Sequence, residues 1–223
     1  MNDTIKHRIQ KYIINSLTYS NFVRFRDMRP PNTDTNLLSY HLGVLTKEGF
    51  IQKHDQSYTL SPKGLMYVDR FSEEKMSICS QPKIISMLVV QNSDGDVLLQ
   101  KRNKQPYIDT WTLPYGKLHI DDANIIEAAK REALEKLNIT EDQPIHAGDA
   151  YIRVKNAKEL LSTTLAHVFR FNRDDIVTSE SIIWVKPHKL TDYSLAPAVE
   201  QIITRTFFKD DHFFEEFEVD WYN

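Results

Sequence analysis

Arg131, Glu132 and Glu135 crowd into one short part of the stretch LPYGKLHIDDANIIEAAKREALEKLNI, residues 113–139. On a helix, side chains three or four residues apart share a face, so Glu132 and Glu135 can aim two carboxylates at one point. Paired carboxylates are hard oxygen donors that suit Mg²⁺ or Mn²⁺ held together with a phosphorylated substrate. Such an ion polarises phosphoryl oxygen and activates water, and one of the two carboxylates can serve as the base. The same residues also fit a plain surface helix. Glu127–Arg131 and Glu132–Lys136 are i,i+4 charge pairs, worth only about 0.2–0.5 kcal/mol each. On the helix alone both readings stay open.

The elements around the helix narrow the choice. A turn at Gly116 feeds the helix. Upstream, residues 84–90 are an apolar run with strand character, Asn92-Ser93-Asp94-Gly95 is a turn, and residues 97–102 read as the returning strand, ending in Lys101-Arg102. Trp111-Thr112-Leu113-Pro114 then leads to Gly116. Downstream, residues 164–171 and 181–185 read as two more strands.

This order of hairpin, basic pair, Trp-x-Leu-Pro, glycine turn and helix resembles the Nudix family over residues 80–208. Gly116, Arg131, Glu132, Ala133, Glu135 and Ile139 fall on positions of the family's box. Leu190 and Leu195-Ala196-Pro197, continuing through Ile202 and Ile203, resemble its closing helix. The resemblance implies an α/β/α sandwich with a mixed sheet that hydrolyses nucleoside diphosphates linked to another group. It implies a catalytic set of Arg131, Glu132 and Glu135, and a metal set of Glu132 and Glu135 completed by Glu180 from a downstream loop. Lys101, Arg102, Trp111 and Gly116 are its implied substrate contacts. Tyr107, Trp111 and Phe169 can stack on a base or fill the core.

The departures matter as much as the matches. Asp122 stands where the first Glu of the box is expected, with one extra residue before Arg131-Glu132. Lys136 replaces the last Glu, Asn138 the final Gly, and Tyr115 a turn Gly. A lysine ammonium removes one oxygen ligand and repels a cation, so the Mg²⁺ or Mn²⁺ site is expected to be weakened.

Residues 1–76 carry a second pattern. Ile5, Ile9, Ile13 and Leu17 recur at helical spacing. Residues 22–28 are read as a short second helix. Thr33 or Asp34 can cap a third, with Leu38, Leu42 and Leu45 inward and Gly49 at its end. Residues 50–53 and 57–60 form a hairpin around His54-Asp55-Gln56, and a further helix starts near Pro62 and carries Leu65, Val68 and Phe71. The module resembles the winged helix-turn-helix domains of bacterial and archaeal repressors. A recognition helix fills the major groove of double-stranded DNA. The resemblance places Thr35, Asn36, Ser39 and Tyr40 on that helix, beside Gly43, and Lys53 and His54 in the wing. A winged helix used for protein contact is the competing reading. His41 reads as a partly buried helix residue.

Composition sets the bounds. Residues 1–80 carry 11 Lys+Arg and 8 Asp+Glu (+3), the rest 17 and 23 (−6), which sums to the net −3. The basic excess permits phosphate contact without requiring it. Cys79 is the single cysteine, so an intramolecular disulfide and a cysteine zinc cluster are excluded. No apolar run is long enough to span a bilayer, and a cytoplasmic protein is expected. Residues 209–223 alternate aromatic and acidic side chains, which fits packing on the protein's own domain or docking to a partner. The chain is therefore expected to be an α+β protein of two domains, 1–76 and 80–208, followed by that acidic aromatic segment. As a function, the sequence favours a homodimeric DNA-binding regulator that senses a nucleotide-like ligand. The alternative is an active metal-dependent pyrophosphohydrolase.

Overall fold

The structure is a computed structural model that describes residues 5–72, 77–78, 81–140, 143–208 and 211–221. Cys79 and Tyr222 lie outside the described residues. The chain divides into two compact units, residues 1–80 and 81–223.

The first unit opens with α1 (Arg8–Thr18), whose Ile9, Ile13, Ile14 and Leu17 are buried as their spacing requires. Val23–Arg24 (β1) and a 3-10 turn over Phe25–Met28 stand where a short second helix was expected. Arg24 is extended, and β1 pairs with the hairpin instead of propagating a helix. Helix α2 (Thr35–Lys47) is capped by Asp34, whose Oδ1 accepts the amide of Asn36 at 2.7 Å. It stops at Gly49, which adopts φ 78°. Strands β2 (Ile51–His54) and β3 (Ser57–Leu60) complete a small sheet in the order β1-β3-β2. Helix α3 (Pro62–Val68) ends before Phe71, which starts the short strand β4 (Phe71–Ser72), paired with β5 (Ser77–Ile78). The core gathers Ile5, Ile13, Met28, Leu38, Leu45 and Phe50. His41 is buried and stacks on His7 at 3.9 Å. Burial, then the neighbouring His7, depresses its pKa, which favours the neutral ring.

The second unit is a sheet of eight strands between helices. Strands β6 (Lys83–Gln91), β7 (Val97–Lys101), β8 (Trp111–Thr112) and β9 (Tyr115–Lys117) precede α4 (Ile125–Leu137). Then come β10 (Ile145–Asn156), β11 (Glu159–Asn172), β12 (Ile182–Val185), α5 (Val199–Phe208) and β13 (Phe213–Asp220). The main path runs β12-β7-β6-β11-β10-β13, with β8 on β7 and β9 on β6. The sheet is mixed: β6–β11 and β10–β13 are parallel, and the other pairings are antiparallel. Leu88, Val90, Leu98, Phe169 and Phe171 pack with Ala129, Ala133 and Leu137 of α4 on one face. Ile85, Met87, Ala150, Ile152 and Val168 pack with Val199, Ile202 and Ile203 of α5 on the other. Among the described residues no helix is long and apolar enough to cross a membrane.

Two expectations about the second unit are corrected. Leu195-Ala196-Pro197 is not helical: Leu195 bridges to Trp111, and the helix begins at Val199. Pro197 steers its predecessor away from helical dihedrals, and Ala198 takes φ 66°. Leu190 lies in a separate 3-10 turn, Pro187–Asp192. In α4 itself, Glu127 pairs with Lys130 at 3.0 Å, not with Arg131. Within the acidic aromatic segment, Phe213–Asp220 is strand β13 of this unit's own sheet, paired with β10.

Asn138 ends α4 in the left-handed region at φ 56°, with its amide bonded to the Leu134 carbonyl at 3.0 Å. Asn tolerates this conformation better than most non-glycine residues, so it fills the place of a glycine without breaking the cap. Asn138→Gly should leave the unfolding free energy within about 0.5 kcal/mol. Asn138→Val should lower it by about 1–2 kcal/mol, measured by urea denaturation.

Candidate functional site

Helix α4 is fixed at its start by Asn124, whose Oδ1 accepts the amides of Ile126 and Glu127, each at 3.0 Å. Its buried stripe comprises Ala128, Ala129, Glu132, Ala133 and Leu137, so a carboxylate stands in an otherwise apolar row. Glu132 reaches the sheet where β9 crosses. A Cβ built on Gly116 would lie 1.7 Å from the Glu132 carboxyl carbon and 1.8–1.9 Å from its oxygens. Gly116 lies not in the expected turn but in strand β9, where the missing Cβ makes room for the Glu132 carboxylate in its present position.

Arg131 organises the charges. Its Nε donates to Asp122 Oδ1 at 2.8 Å and its Nη2 to Asp122 Oδ2 at 2.8 Å, a two-pronged pair. Nη2 also donates to the Lys117 carbonyl at 3.1 Å, and Nη1 to Glu132 Oε1 at 2.7 Å. Glu135 Oε1 lies 3.7 Å from the same Nη1. The Lys136 ammonium sits 3.7 Å from Glu132 Oε2. The Arg131 guanidinium, with the His119 amide, holds Asp122 well below the usual carboxylate range. Asp122, then Glu132, push Arg131 further up in turn. Arg131 is therefore a positioning residue: it joins the end of β9, at Lys117, and the following loop, at Asp122, to Glu132.

A cleft of about 740 Å³ opens over this cluster. Its walls carry Lys83, Lys101, Arg102, Lys104, Lys117 and Lys136 against only Glu132 and Glu135, six cations to two carboxylates. Arg102 lies over the ring of Tyr115, its Cζ 5.5 Å from the centroid, and bonds the Tyr115 hydroxyl. Of the residues expected to contact substrate, Lys101, Arg102 and Gly116 line the cleft. Trp111 does not: it is half-buried, edge-on to Tyr193, and packs against the α5-side core. Phe169 is fully buried. Glu180 is exposed in the loop before β12 and does not line the cleft. Lys83, Lys104, Lys117 and Tyr115 also line the cleft, and isolated lysines carry no sequence signal for this.

The donors fit a resident Mg²⁺ or Mn²⁺ poorly. One Glu132 oxygen is bonded to Arg131 and the other faces Lys136. Among the described residues no third carboxylate or imidazole gathers with Glu132 and Glu135 within 4.8 Å. Protein cations occupy the space that a hard dication needs.

In the first unit, Thr35, Asn36, Ser39 and Tyr40 form an exposed face of α2, with Gly43 open to solvent beside them. Lys53 and His54 are exposed on the hairpin, and the His54 ring lies 5.3 Å from that of Phe22.

Comparison with known proteins follows the second unit. A family model described as "NUDIX domain" matches residues 81–209. The mutator MutT protein of Bacillus halodurans superposes with a TM-score of 0.51 at 20% identity, over 62% of this chain and 90% of that one. The NUDIX domain of Shewanella oneidensis NrtR, solved with ADP ribose, gives 0.47 at 15% identity, over 63% and 94%. No curated protein matches the sequence.

The Arg131–Asp122 pair sets a pH signature. The Asp122 pKa is lower folded than unfolded. Its contribution is therefore full above the ordinary carboxylate range and is lost as pH falls through the depressed folded value. Asp122→Asn should lower stability at pH 7 by about 1–3 kcal/mol. The gap from the natural protein should narrow as the pH is taken well below 4, read by denaturant unfolding at each pH.

Proposed function

The chain belongs to the NUDIX family through residues 81–209, and on that premise we propose that it is a DNA-binding regulator whose NUDIX domain senses a nucleoside diphosphate-linked ligand. The observation that carries this reading is the pairing of Glu132 with Arg131 and Lys136 beneath a cation-rich cleft. Fixed ammonium and guanidinium groups attract a diphosphate directly, a role that a metal otherwise takes. A receptor needs such a pocket and does not need turnover. Arg102 stacked on Tyr115 offers a flat cationic surface at the same opening.

The first unit supplies the output. Helix α2, the β2–β3 hairpin and α3 follow one another in the order of a winged helix. The exposed Thr35, Asn36, Ser39 and Tyr40 are polar groups suited to base edges, and the open flank at Gly43 allows close approach of a backbone. In this role the exposed Lys53 and His54 contact phosphate. On this reading the protein acts as a homodimer on an inverted repeat.

A second reading, metal-dependent hydrolysis of a nucleoside diphosphate derivative, draws on Glu135. Its side chain is 57% exposed and lines the cleft beside Glu132. The two readings separate in one titration. Calorimetry with ADP-ribose and nucleotide sugars in EDTA should show saturable binding, weakened roughly tenfold or more by Lys101→Ala. Lys136→Glu should raise Mn²⁺ affinity at least about tenfold, since charges about 4 Å apart interact by about 4 kcal/mol at an effective dielectric of 20. Brisk Mg²⁺-dependent turnover by the natural protein would instead make it a hydrolase.

The DNA-binding part is tested by selecting duplexes from a random pool and measuring anisotropy against salt. Asn36→Ala and Tyr40→Ala should relax sequence preference. Lys53→Ala should weaken all duplexes alike and reduce the salt slope by about one. A pool that yields no preferred site counts against a regulator.

A further inference from the structure

Across the sheet from Gly116, in the register Gly116–Ser86–His167–Asp149, β10 carries an irregularity between His146 and Gly148. On a regular strand, residues three apart point to opposite faces. The extra residue at the bulge re-aims the chain, so that His146 and Asp149 meet on one face. His146 Nε2 is 3.0 Å from Asp149 Oδ1. Opposite on β11, His167 Nδ1 is 2.6 Å from the same oxygen. His212, just before β13, brings its Nε2 to 3.5 Å from Asp149 Oδ2. The His146 and His212 rings meet edge-on at 4.8 Å, and Phe169, fully buried, backs His146 at 4.9 Å. Gly148 makes this possible: a Cβ there would lie 2.4 Å from the Phe213 ring, so only glycine lets β13 and its flanking His212 close on β10.

We propose that His146, Asp149, His167 and His212 form a binding site for a borderline divalent transition metal of the Zn²⁺ class. Its ligands are different residues from the carboxylates of α4 and lie on the same sheet face. Three imidazoles and one carboxylate are a nitrogen-rich set that suits such an ion and not Mg²⁺. Metal–ligand bonds of about 2.0–2.1 Å in a tetrahedron place donor atoms about 3.3 Å apart, and the nitrogen-to-carboxylate distances here run from 2.6 to 3.5 Å. Among the described residues, His146, Asp149 and His167 are the one group of three such donors that converge within 4.8 Å. His146, Asp149 and His167 supply the three converging donors, and His212, its Nε2 3.5 Å from Asp149 Oδ2, would swing in as the fourth, a structural centre tying β10, β11 and the start of β13 together. His212, 49% exposed, is the ligand through which the ion enters.

The test uses the full chain, stripped with chelator and titrated with Zn²⁺ against a chromophoric competitor. One tightly bound equivalent is expected, unaffected by millimolar Mg²⁺ and retained in Glu135→Gln. Its binding should raise the thermal midpoint, because the ion binds only the folded state. The double variant His146→Gln, His167→Gln should lose both the equivalent and the thermal shift. His212→Ala should weaken binding while keeping the fold, since its side chain is half exposed. Co²⁺ should give the visible absorption of a four-coordinate nitrogen–oxygen site in the natural protein alone. Undiminished Zn²⁺ affinity in the double variant overturns the proposal. Should that variant fail to fold, undiminished affinity in His212→Ala does the same.

Discussion

A carboxylate buried at the helix–sheet contact governs the second unit. Glu132 is 4% exposed on the inner face of α4, and a buried charge persists only when it is paired and hydrogen-bonded. Its surroundings answer that demand. Gly116 clears the space, Arg131 supplies the guanidinium, and Lys136 adds a second cation. Asp122 and the Lys117 carbonyl then hold the guanidinium in turn. The loop between β9 and α4 follows the path that keeps these groups in register. Its shape is a consequence of neutralising one acid.

The same network explains how an altered box keeps its architecture. One extra residue separates Asp122 from Arg131 relative to the family pattern, yet Asp122 forms a two-pronged pair with that arginine. Asn138 satisfies the left-handed cap that a glycine would. Lys136 changes the charge, because it swaps an oxygen donor for a cation lining the cleft, and Tyr115 adds an aromatic ring beneath Arg102. Fold and chemistry have separated at single positions here: Asp122 and Asn138 conserve geometry, while Lys136 and Tyr115 alter the lining of the cleft.

Most of this unit was legible in the sequence where local signals are strong. The β6–β7 hairpin with its Asn-Ser-Asp-Gly turn, α4 and the Arg131-Glu132 pair all follow from periodicity and turn chemistry. Strand β10 was not legible. Its hairpin to β11 turns through Ala157 at φ 51°, a position where Gly or Asn would have flagged the reversal, and its bulge breaks the alternation. β13 read as an acidic aromatic segment because its partner lies some 65 residues upstream, at Gly148–Lys155, and pairing at that range leaves no local mark. Side-chain destinations were least legible. Trp111 turns to the core, and Glu180 stays in its loop away from the cleft. The lysines of the cleft assemble only in three dimensions. In the first unit, β1 and the 3-10 turn replace a helix because pairing with β3 outweighs a weak local preference.

Strand β13 also settles a matter of solubility. Without it, twelve-residue β10 would be the outer strand of the sheet, a long row of open amides and carbonyls ready to template another chain. β13 satisfies that row and becomes the rim itself. Its outward positions are Phe214, Glu216, Glu218 and Asp220, three of them acids, with Glu218 held by Lys155 at 2.5 Å. Two such rims brought side by side would set carboxylates against carboxylates. The segment thus insulates the sheet from self-templated stacking, and any lesion that detached it would expose an aggregation-prone edge.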